Sequence, residues 1–142
     1  FPFGRRGFAL GWGQVAVMKK MQNISIRSKI WLADSEGRVA FGPGRVKILA
    51  AIDRCGSIHA AAKELGMSYR GIWGRIKATE ERLGEPLLHR NVGGRSGGGS
   101  ELTDFARDLM ARFEKLHRLV VDASDQLFED MLEGGDESGP TR

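Results

Sequence analysis

Two short helical periods punctuated by glycine occupy residues 56–83 and leave the chain little choice of fold. The stretch reads Gly-Ser-Ile-His-Ala-Ala-Ala-Lys-Glu-Leu-Gly-Met-Ser-Tyr-Arg-Gly-Ile-Trp-Gly-Arg-Ile-Lys-Ala-Thr-Glu-Glu-Arg-Leu. Ser57 is a good N-cap, since its hydroxyl can accept from an otherwise unpaired amide of the first turn. Ala60, Ala61, Ala62 and Leu65 then make a compact helix that a second helix can approach closely. Gly66 suits the position just past it, where a left-handed backbone costs glycine little. Ser68 caps the next helix, in which Ile72, Ile76 and Leu83 recur on one side while Arg70, Gly74 and Lys77 fall on the other. A helix that is apolar inside and carries cations around a glycine outside suits a polyanionic groove. The spacing therefore predicts a helix-turn-helix with residues 69–83 as its recognition helix. Paired amphipathic helices about a glycine turn also occur in bundles that bind nothing, so the flanking chain has to separate the two readings.

Downstream, Gly84 stops the helix and Pro86 keeps it from resuming. Leu87, Leu88 and His89 read as a short strand, and Glu101, Leu102 and Thr103 can pair back on it. Between them runs Arg90-Asn91-Val92-Gly93-Gly94-Arg95-Ser96-Gly97-Gly98-Gly99-Ser100. A glycine-rich hairpin behind a recognition helix reads as a wing. Its glycines let backbone amides approach phosphates, and Arg90 and Arg95, with Ser96 beside them, neutralise or hydrogen-bond them. The competing reading is a flexible Gly-Ser linker. The run lacks the Gly-Lys-Ser/Thr ending of a nucleotide-binding P-loop, and Gly42-Pro43-Gly44 lacks the third glycine of a dinucleotide fingerprint.

Upstream, Ile24, Ile26, Ile30 and Leu32 alternate with Arg27, Lys29 and Trp31, which predicts a strand. Asp34-Ser35-Glu36-Gly37 is a turn, and Arg38 to Phe41 returns as the second strand of a β-hairpin. Pro43 belongs in the first turn of a helix over 44–54, with Val46, Leu49, Ala50 and Ile52 inside and Gly56 at its end.

The charge is unevenly placed. Residues 1–100 carry 17 Lys and Arg against 7 Asp and Glu, whereas residues 101–142 carry 5 against 11. A basic front and an acidic end fit nucleic-acid binding by the front. The one cysteine, Cys55, rules out an internal disulfide and is most simply a small buried residue, so a reducing cytoplasm is the default location. No run approaches the roughly 20 apolar residues that cross a bilayer. Residues 1–23 show no clean period. Arg5-Arg6 ahead of Phe8 faintly resembles an export signal, yet no small-residue cleavage site follows. This extension and the polar tail 134–142 are expected to be poorly ordered.

The C-terminal segment carries a second strong pattern. Leu102, Ala106, Leu109, Phe113, Leu116, Val120, Ala123 and Leu127 are spaced 4, 3, 4, 3, 4, 3, 4. That is a heptad seam, with Thr103 as its cap and Asp104 near the positive helix end. A helix of roughly 28 residues would run about 42 Å, more than one small domain can cover. The seam is therefore expected to be a dimer interface, the alternative being a helix folded back on its own core. The predicted fold class is mainly α with small β. It comprises a winged helix-turn-helix over 24–102 with an N-terminal β-hairpin, followed by a long dimerisation helix over 103–133.

Particular residues now carry a family resemblance. Gly56-Ser57 through Arg90 resembles the N-terminal domain of LysR-type regulators. The closer similarity is to the DNA-binding domain of molybdate-responsive, ModE-type regulators. Its marks are Gly42-Pro43-Gly44-Arg45, Gly56-Ser57-Ile58, Ala61-Ala62-Lys63 and Ser68-Tyr69-Arg70 with Trp73. To these add Pro86-Leu87, Gly93-Gly94-Arg95 followed by Gly97-Gly98-Gly99, and Leu102-Thr103. The similarity covers about residues 24–128. It implies a winged-helix homodimer that reads a palindromic operator in double-stranded DNA. Ser68 and Tyr69 match family positions at the start of the recognition helix, and together with Ser57, Arg70, Gly74, Lys77, Arg90, Arg95 and Ser96 they are the residues expected to meet the DNA. Family members continue into a molybdate-binding region of small β-barrels, and this chain stops at residue 142. The expectation is either a stand-alone DNA-binding version without the molybdate-binding domain or one whose sensor is a separate molybdate-sensing partner.

Other classes find less support. His59, His89 and His117 have no carboxylate or cysteine at ligand spacing, so neither a metal nor another cofactor is expected. No nucleophile-base order or paired carboxylates suggest an enzyme. The alternative of a different class is a non-catalytic assembly module that uses the heptad helix, with the basic face incidental.

Overall fold

The computed structural model of the chain describes residues 17, 19–90 and 99–133. The expectations for the first sixteen residues, for the wing tip with Arg95 and Ser96, and for the tail 134–142 fall outside them. Two compact units are present, one spanning Lys29–His117 and the other drawn from Phe1–Ser28 and Arg118–Arg142.

The Lys29–His117 unit begins with a hairpin of β1 (Leu32–Ala33) and β2 (Val39–Phe41). The two strands are antiparallel, with Leu32 opposite Phe41 and an irregularity after it. Asp34 builds the turn. Its Oδ1 accepts from the amides of Glu36 and Arg38, each at 2.9 Å, and its Oδ2 accepts from Arg38 Nε at 2.8 Å. Gly37 takes φ +81°, a left-handed backbone that glycine adopts without strain. The expected strand from Ile24 to Leu32 is thus corrected to two residues. Alternation marks local amphipathicity, but only Val39–Phe41 returns to pair with it, and Ile24 and Ile26 belong to the other unit, 52% and 38% exposed.

Three helices follow: α1 (Pro43–Cys55), α2 (Ile58–Leu65) and α3 (Tyr69–Leu83). Their ends lie where the sequence places them. Ser57 Oγ accepts from the Ala60 amide at 3.1 Å, and Ser68 Oγ accepts from the Gly71 amide at 2.9 Å. Gly56, Gly66 and Gly84 close the three helices in left-handed conformations at φ 81°, 65° and 73°. A continuous core joins Phe41, Ile48, Leu49 and Ile52 to Ile58, Ala61, Ile72 and Ile76.

A second hairpin, β3 (Leu88–Arg90) and β4 (Ser100–Leu102), pairs in regular antiparallel register with His89 opposite Glu101. Short polar ties fix its base. The Leu87 amide donates to Glu80 Oε2 at 2.8 Å, the Thr103 amide to the Leu87 carbonyl at 2.9 Å, and the Ser100 amide to the Gly56 carbonyl at 2.9 Å. Thr103 then caps α4 (Asp104–Glu133): its Oγ1 accepts from the Ala106 amide at 3.1 Å and donates to the Pro86 carbonyl at 2.9 Å.

The heptad seam divides along its length. Leu102, Ala106 and Phe113 are 4%, 0% and 3% exposed and lie in the core of their own unit, with Leu109 packed against it. Phe113 meets Phe41 edge-on at 5.4 Å between ring centres. These four seam positions are therefore occupied within the chain, because α4 supplies the last wall of the small domain. Leu116 and Leu127 stay 44% and 68% exposed, Val120 is half-buried and Ala123 is exposed. Arg107 clamps the start of α4 to α1 through a two-pronged pair with Asp53 at 2.8 and 3.1 Å.

In the second unit, the described residues 19–20 are helical and 21–23 form a turn. Met21, Ile24 and Ile26 line an open pocket with Phe128 and Leu132 of α4.

The Asp34 turn makes a pH-dependent prediction. Hydrogen bonds from the Arg38 amide, with those from the Arg38 side chain and the Glu36 amide, hold the Asp34 carboxyl below its ordinary pKa. A depressed folded pKa means the stabilisation is complete above the unfolded value and is lost as pH falls through the folded one. The Glu36 and Arg38 amide resonances should therefore shift together as the solution is acidified below the usual carboxylate range. Asp34→Asn should abolish that joint titration, and its persistence in the variant would contradict the assignment.

Candidate nucleic-acid interface

The outer face of α3 is built by what its inner face must do. Ile72, Ile76 and Thr79 are 0%, 2% and 0% exposed and take up the core side. At 3.6 residues per turn this sends Arg70, Gly74 and Lys77 to the opposite side, and all three are exposed. A Cβ placed on Gly74 meets nothing within 4 Å, so no internal packing calls for glycine there. What its absence of a side chain provides is room on the outside of the helix.

The other expected contacts surround this face. Tyr69 opens α3, 40% exposed, and stacks on His59 of α2 with ring centres 4.3 Å apart and planes 21° apart. The stack ties the two helices of the motif together and holds the phenol at the helix entrance. Ser57 and Ser68 are both engaged as caps through their Oγ atoms, and Ser68 itself is exposed. A Cβ on Gly71 would lie 2.9 Å from Ser68 Oγ and would oblige the capping hydroxyl to shift. Lys77 has two neighbours, the Trp73 ring at 4.7 Å from Nζ to its centre and Glu80 at 3.5 Å. Trp73 is half-buried against the core, in keeping with a packing role. Among the described residues Arg70 makes no ion pair, and it is exposed near the start of α3. Arg90 sits in β3 with its backbone paired to Ser100, so the described base of the wing is anchored beside the helix-turn-helix by the bond to Gly56.

One expectation about a single residue changes. Cys55 is half-buried rather than buried, and its Sγ lies 3.6 Å from Glu64 Oε2, next to the Arg54–Glu64 pair that bridges α1 and α2. Burial, and then the negative charge of Glu64, push the thiol pKa up, which is the opposite of an activated thiolate. Arg75, one position beyond Gly74, turns away from the outer face toward Arg45 at the start of α1. No motif marks that pairing, since the two arginines are thirty residues apart in the chain. Among the described residues, no group of three or more His, Cys, Asp or Glu side chains could hold a metal ion, and no helix is long and apolar enough to cross a membrane.

Residues 44–107 match the bacterial regulatory helix-turn-helix proteins of the lysR family. The chain is 39% identical over 105 residues to the molybdenum transport protein ModE of Azotobacter vinelandii, covering 72% of this chain and 39% of that protein. It is 42% identical over 76 residues to the transcriptional regulator ModE of Haemophilus influenzae, covering 54% and 30% respectively. Against the DNA-binding transcriptional dual regulator ModE of Escherichia coli K12 it is 33% identical over 88 residues, covering 62% and 34%. The chain thus spans less than two fifths of the length of each of these relatives. Among solved structures, the DNA-binding domain of CbnR in complex with DNA aligns over 62% of this chain and 95% of its own at 26% identity, with a TM-score of 0.48. Residues 44–107, with the capped helix pair and the exposed face of α3 at their centre, thus carry the match to the lysR-family helix-turn-helix proteins, in a chain similar to ModE proteins.

Proposed function

We propose that the protein is a sequence-specific DNA-binding transcriptional regulator that acts as a dimer. The observation that carries this reading is the outer face of α3: Arg70 and Lys77 stand exposed on either side of Gly74, whose missing side chain serves nothing inside the domain. Inserted in a major groove, Arg70 would pair with guanine, a contact that contributes roughly 1–3 kcal/mol of discrimination. Lys77 and the wing arginines Arg90 and Arg95 would neutralise phosphates, and Ser57, Ser68, Tyr69 and Ser96 would contribute polar contacts at the groove edges. The LysR-family match and the regulator names of the ModE relatives support the same role.

For self-association the reading uses the part of the seam that the domain leaves uncovered. Leu116, Val120, Ala123 and Leu127, widened by the exposed Leu119 and Met131, form an apolar stripe on α4. A second copy of the same helix would bury it, and a two-fold dimer would place two recognition helices on a palindromic site. No catalytic step belongs to this reading.

Binding of duplexes selected from a random-sequence pool tests it. The chain should bind them with submicromolar affinity that falls steeply with salt, because phosphate contacts release counterions. Arg70→Ala should cut the preference for selected over random duplexes by roughly tenfold or more, in line with loss of one base contact. Lys77→Ala should weaken both duplexes alike. Salt-independent binding, or unchanged behaviour in both variants, would contradict the proposal.

Gly74→Ala separates stability from recognition. Alanine is the better helix former and meets no neighbour, so unfolding by denaturant should show about 0.5–1 kcal/mol of added stability. The same methyl should weaken DNA binding by intruding on the groove. A variant more stable and equally tight would remove Gly74 from the interface.

A further inference from the structure

A second cationic site lies beside α3. It is an open groove lined by Lys29, Trp31, Val39, Gly42, Pro43, Gly44, Arg45 and Arg75. Three of these side chains are cations and none is a carboxylate. Among the described residues none of the three makes an ion pair. Arg45 is held in place by the bond from its Nε to Thr79 Oγ1 at 3.2 Å, and Thr79 is fully buried on α3. Burial, with Arg75 and Arg82 close by, lowers the pKa of Arg45. Crowding cations at a partly desolvated place without a counter-charge is unfavourable, and an anion in the groove would relieve it. The groove also contains the start of α1, where Gly42 supplies no side-chain cap and the first turn has no acidic residue. The positive end of the helix dipole is thus left to whatever occupies the groove.

The floor is shaped to keep this opening. A Cβ on Gly42 would come within 3.0 Å of Trp31 Cβ, so glycine lets the β1 side close over the start of α1. Trp31 itself remains 54% exposed at the rim. Lys29, Trp31, Val39, Gly42 and Pro43 all precede residue 44, so the hairpin side of the groove lies outside the part of the chain that matches the LysR family. It is an addition to that domain.

We infer that this groove holds a phosphate group of the DNA backbone at the flank of the major groove entered by α3. The inference rests on the DNA-binding reading above and extends its footprint. Arg75 ties the two together, because it lies on α3 one residue, roughly 100° of helix rotation, from Gly74. A phosphate on Arg45, Arg75 and Lys29 would set its sugar against the exposed face of Trp31. The openness of the groove favours a phosphate carried on a long backbone over a free oxyanion, which is better held in an enclosed ring of donors.

The test compares the full chain with Lys29→Gln and Arg75→Gln, both exposed positions, on one selected and one random duplex over a range of salt concentrations. Each phosphate contact contributes about 0.9 to the slope of log K against log salt on duplex DNA. Each variant should lose up to about that much slope and bind several-fold more weakly at low salt on both duplexes, with the preferred sequence unchanged. If the parent chain binds and both variants keep its slope, the groove assignment falls while the recognition helix stands. If the parent binds neither duplex, the regulator reading falls and takes this inference with it. Inorganic phosphate titrated into the DNA-free chain distinguishes the sources. Tryptophan quenching by phosphate that Trp31→Phe removes, together with unchanged salt slopes, would assign the groove to a free oxyanion and overturn the inference.

Discussion

Ile72 and Ile76 are essentially inaccessible to solvent, and their seating against the core around Phe41, Leu49 and Ile52 determines where every other face of α3 points. Each such side chain contributes roughly 1.5–3 kcal/mol when fully buried, far more than any single exposed ion pair on this domain. Rotation of the helix is therefore set by hydrophobic burial, and the charged residues take the directions that remain. Arg70 and Lys77 face solvent about Gly74, and Arg75 faces the start of α1. The proposed chemistry of the surface is a consequence of which two isoleucines lie beneath it.

Polar bonds at the ends of elements keep that arrangement from drifting. Ser57 and Ser68 pin the starts of the two motif helices, and the stacked His59–Tyr69 pair couples them. Thr79 is shared between the core and Arg45, so the same helix turn that closes the interior also positions a surface cation. On the other side, Gly56 both ends α1 and offers its carbonyl to Ser100, which binds the base of the wing to the junction of α1 and α2. The recognition helix is tied to the same hairpin base through the Glu80 carboxylate, which accepts from the Leu87 amide.

Much of this was legible in the chain. Caps and terminating glycines are local signals, and they located α2 and α3 to the residue, because Ser57, Gly66, Ser68 and Gly84 act through bonds within a single turn. The paired base of the wing was also readable from strand-forming residues flanking glycines. Non-local matters were less so. Alternation from Ile24 to Leu32 could not reveal that only Leu32–Ala33 finds a partner strand. Heptad spacing could not reveal that Ala106 and Phe113 are spent on their own domain, because an internal core and a second helix ask for the same apolar spacing. The Lys29–Arg45–Arg75 groove had no signature at all, since it assembles from three distant segments.

The central claim, that α3 is the face that meets nucleic acid, is tested most directly by amide chemical shifts recorded while a selected duplex is titrated into the labelled full chain. The account predicts the largest changes at Tyr69, Arg70, Gly74 and Lys77, with further changes at Arg90 and Ser100, and little at the buried Leu49 and Ile52 of α1. Changes concentrated on the exposed stripe from Leu116 to Met131, with α3 unmoved, would contradict it and make α4 the working surface of the protein.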